Sequence, residues 1–134
     1  MNQPIARPVP PPSALSAAYW EGAAAGRLLI QRCTACGTLR HYPRLLCGNC
    51  HSTAVDWVEA SRRGVIHSWT VAHHAYHPSF AAELPYTLVT VDLDEGPRAL
   101  GRWVGGTPRI GQAVAGRFEP REGGTDLVFQ PAAA

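Results

Sequence analysis

Four cysteines, Cys33, Cys36, Cys47 and Cys50, form the one set of residues here whose type and spacing alone specify a chemistry. They make two C-x-x-C pairs with ten residues between them. Each pair can place two thiolates on one side of a tight turn, and two such knuckles complete the tetrahedral sulfur shell that zinc accepts. Gly37 follows the first pair and Gly48 lies inside the second, where glycine permits the turn that aims backbone N–H groups at sulfur. Two disulfides, a redox-active pair and a rubredoxin-type iron site are the competing readings. A lone C-x-x-C would be a weak signal, whereas paired knuckles at ribbon spacing favour zinc. Four protein ligands leave no position open for water or substrate, so such a metal is structural. His41 and His51 lie near the knuckles and read as surface or packing residues.

The other reactive side chains gather in His73-His74-Ala75-Tyr76-His77-Pro78-Ser79-Phe80. Imidazoles can act as bases near neutral pH, but no Asp or Glu within this run orients one, and a polar and aromatic contact surface is the plainer reading. Glu95-Gly96 reads as turn chemistry. Trp69, Tyr86, Trp103 and Phe118 recur at strand positions and read as core. Arg98, Arg102, Arg109, Arg117 and Arg121 could line a cationic groove, but their alternation with acidic residues reads as a solvated rim.

These residues must be held by a short chain. Its 134 residues allow one compact domain, or a small metal-stapled module joined to a small barrel. Twelve basic residues, all Arg, against ten acidic ones give a formal charge of +2, far from the basic stripe of a dedicated nucleic-acid binder. No run approaches the roughly 20 apolar residues of a membrane span, and the N-terminus lacks the charged and apolar regions of a secretory signal. The chain reads as cytoplasmic, a setting that keeps thiols free for metal.

Residues 1–12 contain five prolines and read as a flexible arm. Residues 13–26 read as a helical segment that Ser13 or Ser16 caps, Gly22 splits and Gly26 ends, carrying Tyr19 and Trp20 as docking side chains. Residues 27–60 hold the ribbon, with strands at Arg27–Arg32, Leu39–Tyr42 and Ala54–Ser61. Residues 61–130 present five strands, at Val65–Val71, Tyr86–Leu93, Arg98–Val104, Ala113–Glu119 and Leu127–Phe129, with turns at Asp94-Glu95-Gly96 and Gly105-Gly106-Thr107-Pro108. A five-stranded OB-fold barrel is the closed solution that this pattern suggests. The fold class is therefore mainly β: an N-terminal helix, a rubredoxin-like four-cysteine zinc ribbon, then the barrel.

The order of several short motifs adds a resemblance. Tyr-Trp-Glu-Gly at Tyr19, Arg-Leu-Leu-Ile-Gln-Arg-Cys at Arg27, the two knuckles, Ser-Arg-Arg-Gly at Ser61, Ser-Trp-Thr-Val at Ser68, Leu-Pro-Tyr at Leu84 and Leu-Asp-Glu-Gly at Leu93 occur in sequence. From about Ser16 to Phe129 the chain resembles the zinc-ribbon plus OB-fold family called domain of unknown function 35, the acyl-CoA-associated OB-fold proteins. It departs at Gly48, where the family usually has proline. The resemblance implies a zinc-binding accessory subunit, without catalysis of its own, in a hetero-oligomer with a thiolase-fold enzyme or a sterol-carrier-type thiolase homologue. Such a complex acts on acyl-CoA as a thiolase, a retro-aldolase of steroid side-chain degradation or an acyltransferase. Tyr19, Trp20, His73, His74, Tyr76, His77 and Phe80 are then candidates for partner or substrate-channel contacts. Arg40 and Arg44 are candidates for the phosphates of coenzyme A. An OB-fold module for single-stranded nucleic acid is the alternative, and a hydrolase or lyase using the histidine loop is a third.

Overall fold

A computed structural model describes residues 5–133; residues 1–4 of the expected arm lie outside the described residues. Helix α1 spans Ala17–Ala24. Ahead of it Ser13 and Ser16 bond each other, each side chain accepting the other's backbone N–H at 3.1 and 3.0 Å. It ends as expected at Gly26, whose φ of 76° lets its own N–H and that of Arg27 reach the carbonyls of Ala23 and Gly22. Gly22 does not split the helix. It is buried, and a Cβ there would lie 2.7 Å from Leu29 Cγ, so glycine is what lets α1 lie close on the first strand.

The ribbon is a three-stranded antiparallel sheet, β1 (Leu28–Cys33) between β2 (Leu39–Arg40) and β3 (Val55–Ala60). β2 is shorter than the sequence suggests because the chain leaves the ladder after Arg40 to begin the second knuckle. The barrel follows: β4 (Arg63–Ala72), β5 (Tyr86–Leu93), β6 (Arg98–Trp103), β7 (Ala113–Arg121) and β8 (Gly124–Pro131). Its strands neighbour one another in the order β4-β5-β6-β8-β7 and close back on β4; only the β6–β8 contact is parallel. Between β4 and β5 a 3-10 helix at Pro78–Glu83 occupies the expected long loop.

A single hydrophobic cluster serves both parts. Leu28 and Ile30 of the ribbon lie wholly buried among Ile66, Val89, Val91, Val114 and Phe129 of the barrel. The joint is also polar. Ser61 N–H donates to Glu95 Oε2 at 2.8 Å, and Arg62, at φ 61°, accepts Gly116 N–H on its carbonyl at 2.7 Å while its guanidinium donates to the Gly116 carbonyl at 3.2 Å and to the Gly26 carbonyl. Glu95 is thus a structural carboxylate, as its turn setting suggested.

The arm is not free of the barrel among its described residues. Arg7 forms ion pairs with Glu83 and Asp126 and lies over the Phe80 ring, 5.0 Å from its centroid. Arg102 and Arg121 join the same two carboxylates at 3.1 and 2.7 Å.

Phe129 is the centre of the barrel. Gly101 and Gly116 flank its ring, and a Cβ at Gly101 would stand 2.6 Å from Phe129 Cδ2. Gly101→Ala is therefore expected to destabilise by about 1–3 kcal/mol through overpacking. Thermal unfolding should show the loss, and the same substitution at exposed Gly106, where a Cβ meets nothing within 4 Å, should not.

Candidate functional site

The two knuckles fold by the same local rule. In the first, Cys33 N–H bonds the Thr38 carbonyl and Gly37 N–H bonds the Cys33 carbonyl, at 2.9 and 2.7 Å. In the second, Cys47 N–H bonds the Ser52 carbonyl and His51 N–H bonds the Cys47 carbonyl, at 3.0 and 2.9 Å. Both turns need a left-handed residue just after their second cysteine: Gly37 has φ 82° and His51 has φ 63°. This corrects the role given to Gly48, which has no positive φ; His51 holds the strained position.

The four Sγ atoms lie within 4.8 Å of one another, with Cys33–Cys50 at 3.5 Å and Cys36–Cys47 at 3.6 Å. A disulfide needs about 2.05 Å, so all four are free thiols. Sulfurs at Zn–S distances of about 2.3 Å around a tetrahedral ion stand about 3.8 Å apart, so the quartet is positioned to bind a metal. Cys33 and Cys47 are buried while Cys36 and Cys50 reach the surface. Hydrogen bonds from the Thr38 and Asn49 side chains favour the Cys36 thiolate, lowering it to about 5. At Cys50 a backbone N–H from Ser52 favours the thiolate, but the neighbouring sulfurs, Cys33 foremost, prevail and push it up to about 12. Four negative charges this close cannot all persist unless a cation sits among them, which is the electrostatic demand a dication meets.

Behind the second knuckle lies a buried polar brace. Gln31 Oε1 accepts from Arg40 Nε and from Arg44 N–H, both at 2.8 Å, while Arg40 Nη2 donates to the Arg44 carbonyl at 3.0 Å. Arg40 is thus turned inward to shape the knuckle and does not present its guanidinium to a phosphate; Arg44 stays exposed. His41 is buried against Tyr42 and Tyr19, at ring distances of 4.0 and 5.5 Å, and neither ring nitrogen has a partner. Burial pushes its imidazole down to about 4. Tyr42 reaches onward to the barrel, its hydroxyl accepting Leu100 N–H at 2.8 Å.

The remaining candidates do not converge on one centre. Tyr19 packs inward against the shared core, and burial raises its phenol to about 12. Trp20 is half-buried beside Val9 and Pro12 of the arm. His73, His74 and Tyr76 are exposed, with His74 edge-on to Tyr76 at 4.8 Å. His77 caps the 3-10 helix, its Nδ1 accepting from Ser79 N–H at 3.2 Å. Phe80 rests near Tyr86, 5.9 Å between ring centroids. The carboxylate nearest an imidazole is Asp92, 3.2 Å from His67, but both are solvent-exposed in part and Arg98 holds Asp92 at 2.7 Å.

Comparison with known proteins fits this geometry. The profile described as ChsH2, rubredoxin-like zinc ribbon domain, matches residues 20–56, and that of the ChsH2 C-terminal OB-fold domain matches residues 57–119. A chain of the solved Ltp2-ChsH2(DUF35) aldolase superposes with a TM-score of 0.81 at 41% identity, covering 92% of this chain and 99% of that one. The chain belongs to the DUF35 family. A probable enoyl-CoA hydratase alpha subunit of Thermomonospora curvata is 45% identical over 102 residues, 76% of this chain. The 3-oxo-4,17-pregnadiene-20-carboxyl-CoA hydratase alpha subunit of Mycobacterium tuberculosis is 36% identical over 93 residues, 69% of this chain. This DUF35 chain spans about a third of the length of these two relatives, 31% and 29%.

Sequence reasoning missed the roles of Gln31, Tyr42 and His51 in this DUF35 fold. Gln31, a polar residue at a strand position, was the one signal available; His51 was visible only as the counterpart of Gly37, four residues after its knuckle's first cysteine. Two outcomes follow from this geometry. His51→Gly should raise stability by up to about 1 kcal/mol in thermal melts at unchanged metal content, because glycine relieves the left-handed backbone. For His41 the folded value near 4 lies below the ordinary 6.5, so the unfolded chain binds more protons between these values. Stability due to neutral His41, about 3 kcal/mol at most, is complete above pH 6.5 and lost as pH falls toward 4. The melting temperature of wild type minus that of His41→Phe should fall across this window; a constant difference would refute it.

Proposed function

We propose that this chain is a zinc-binding, non-catalytic accessory subunit of a thiolase-superfamily enzyme acting on acyl-CoA substrates, with steroid side-chain thioesters as the favoured class. The observation that carries this reading is the match over 99% of a chain of the Ltp2-ChsH2(DUF35) aldolase. The names of two relatives support it: both are alpha subunits, and one acts on a pregnadiene carboxyl-CoA. Four thiolates saturate the metal, so zinc here supplies a fixed tetrahedral anchor for Cys33, Cys36, Cys47 and Cys50 and offers substrate no open position. Among the described residues no histidine, serine and carboxylate come together as a base with its orienting group and nucleophile. The nucleic-acid alternative loses support because four of the five candidate groove cations, Arg98, Arg102, Arg117 and Arg121, are each paired with an acidic side chain, which leaves Arg109 as the one of the five without an ion pair among the described residues.

In this reading the larger partner holds the reacting groups, and this subunit completes its fold and channel. His73, His74 and Tyr76, together with Arg44, are candidates for contacts with partner or coenzyme, a role their exposure supports. The test is co-expression of the tagged chain with the thiolase-fold subunit of its source. We expect a stable complex with one zinc per copy of this chain. Chelation, or Cys36→Ser with Cys50→Ser, should release the partner and abolish activity, because a structural zinc site contributes on the order of 10 kcal/mol to its fold. Full assembly and turnover by zinc-free protein, or turnover by the isolated chain, would overturn the assignment.

A further inference from the structure

We propose that the open edge of β4 over residues 68–72 is a strand-addition site, which takes an extended, apolar segment of the partner subunit as a sixth strand. This rests on the accessory-subunit reading above and adds where and how the partner is held.

β4 pairs with β7 only over Arg63–Val65, after which Ile66 exchanges backbone bonds with Gln112 and Gly111 at 3.0 and 2.8 Å. The register with β5 then shifts between Ile66 and Ser68. Beyond this bulge Ser68–Ala72 pairs with β5 alone, so one edge of that stretch has no neighbouring strand among the described residues.

The bonding pattern identifies which groups face outward. Leu100 N–H donates to Tyr42, so Leu100 opposite Thr90 is a non-bonded pair of β5 and β6, and Val89 opposite Gly101 is a bonded one. Thr90 therefore bonds Ser68 on its other side. Trp69, opposite Val89, and Val71, opposite Thr87, direct their N–H and C=O groups to the open edge. A row of donors and acceptors at this spacing is complementary to another extended backbone and to little else.

The side chains agree. The bulge puts Trp69 on the face of Val89, toward the barrel mouth, yet 40% of Trp69 and 37% of Val71 remain exposed. This corrects the reading of Trp69 as core. The two line a cavity of about 560 Å³ with Trp103, Val104 and Pro108. Its charged members, Glu83 and Arg102, are paired with each other, so the mouth has no net charge to offer. From His67 to Ala72 there is no Lys, Arg, Asp, Glu or Pro, the residues that usually guard an edge against pairing. The occupant these features select is a proline-free extended segment with apolar side chains at alternate positions.

The experiment uses the complex with the co-expressed thiolase-fold subunit and follows single amides by hydrogen exchange. Trp69 and Val71 amides should exchange at least tenfold more slowly in the complex than in the free chain, with Thr70 unchanged. Val71→Pro removes an edge donor but no bond to β5, and should weaken partner binding at least tenfold at unchanged zinc content and melting temperature. Val71→Lys, which keeps the backbone donor, should weaken it as well. A complex with Trp69 and Val71 exchange unaltered, or both variants binding as wild type, overturns the edge site and leaves the accessory-subunit reading standing. A concentration-dependent dimer of the free chain that protects these amides gives the edge to a second copy and overturns it too. Failure to form any complex removes both.

Discussion

Leu28 and Ile30 leave the ribbon's central strand to fill the barrel, and most of the molecule's organisation depends on that burial. The strand that carries them also carries Cys33, so the position of one sulfur is set by the same two side chains that complete the barrel core. A ribbon of three short strands has little apolar surface of its own to bury, and sharing a core supplies what it lacks. In return the ribbon lends Tyr42 to a backbone amide of β6 that no neighbouring strand satisfies. Metal site and barrel are thus mechanically one body, and order at the thiolates is transmitted to the barrel wall within the length of a single strand.

The outer face of β5 and β6, where five-stranded barrels of this topology often bind oligonucleotides, is covered from within the chain at its Tyr86–Arg102 end. Arg7 and Phe80 lie over Tyr86 and Arg102, and four ion pairs of three arginines with Glu83 and Asp126 hold the cover in place. Each exposed ion pair alone contributes little, but shared carboxylates restrict one another's side chains and make the network more than a set of isolated pairs. The arm therefore covers one end of that face and leaves the mouth beside β4 open.

The sequence was most readable where a local rule dictates geometry. Cysteine spacing revealed both knuckles, Gly26 the helix end, and alternating apolar residues the five barrel strands, since each rests on a backbone requirement within a few residues. It was least readable where distant segments meet. Gly22 looked like a helix breaker because its reason, the close approach of Leu29, lies in another element. Arg40 looked like a surface cation because its partner Gln31 is nine residues away across a strand pair. The arm looked free because proline content says nothing about Arg7, whose carboxylates sit 76 and 119 residues downstream. Trp69 was misplaced for a different reason: it lies on the inner face, as a core residue would, but beside an edge that no strand covers among the described residues.

That bulge at His67 acts as a selector of surface chemistry. In a strand, one residue more or less exchanges the two faces of everything beyond it. Were His67 held in the ladder as an ordinary strand residue, Ser68 and Thr70 would line the barrel mouth, and Trp69 and Val71 would turn to the outside of the sheet. The same composition and charge would then give a hydroxyl-lined mouth in place of an apolar one, whereas deleting His67 outright would keep Ser68 opposite Thr90 and the apolar mouth with it. The chemistry of the mouth is thus decided by how one residue is accommodated as much as by which residues the strand carries, with the ribbon and its four sulfurs untouched.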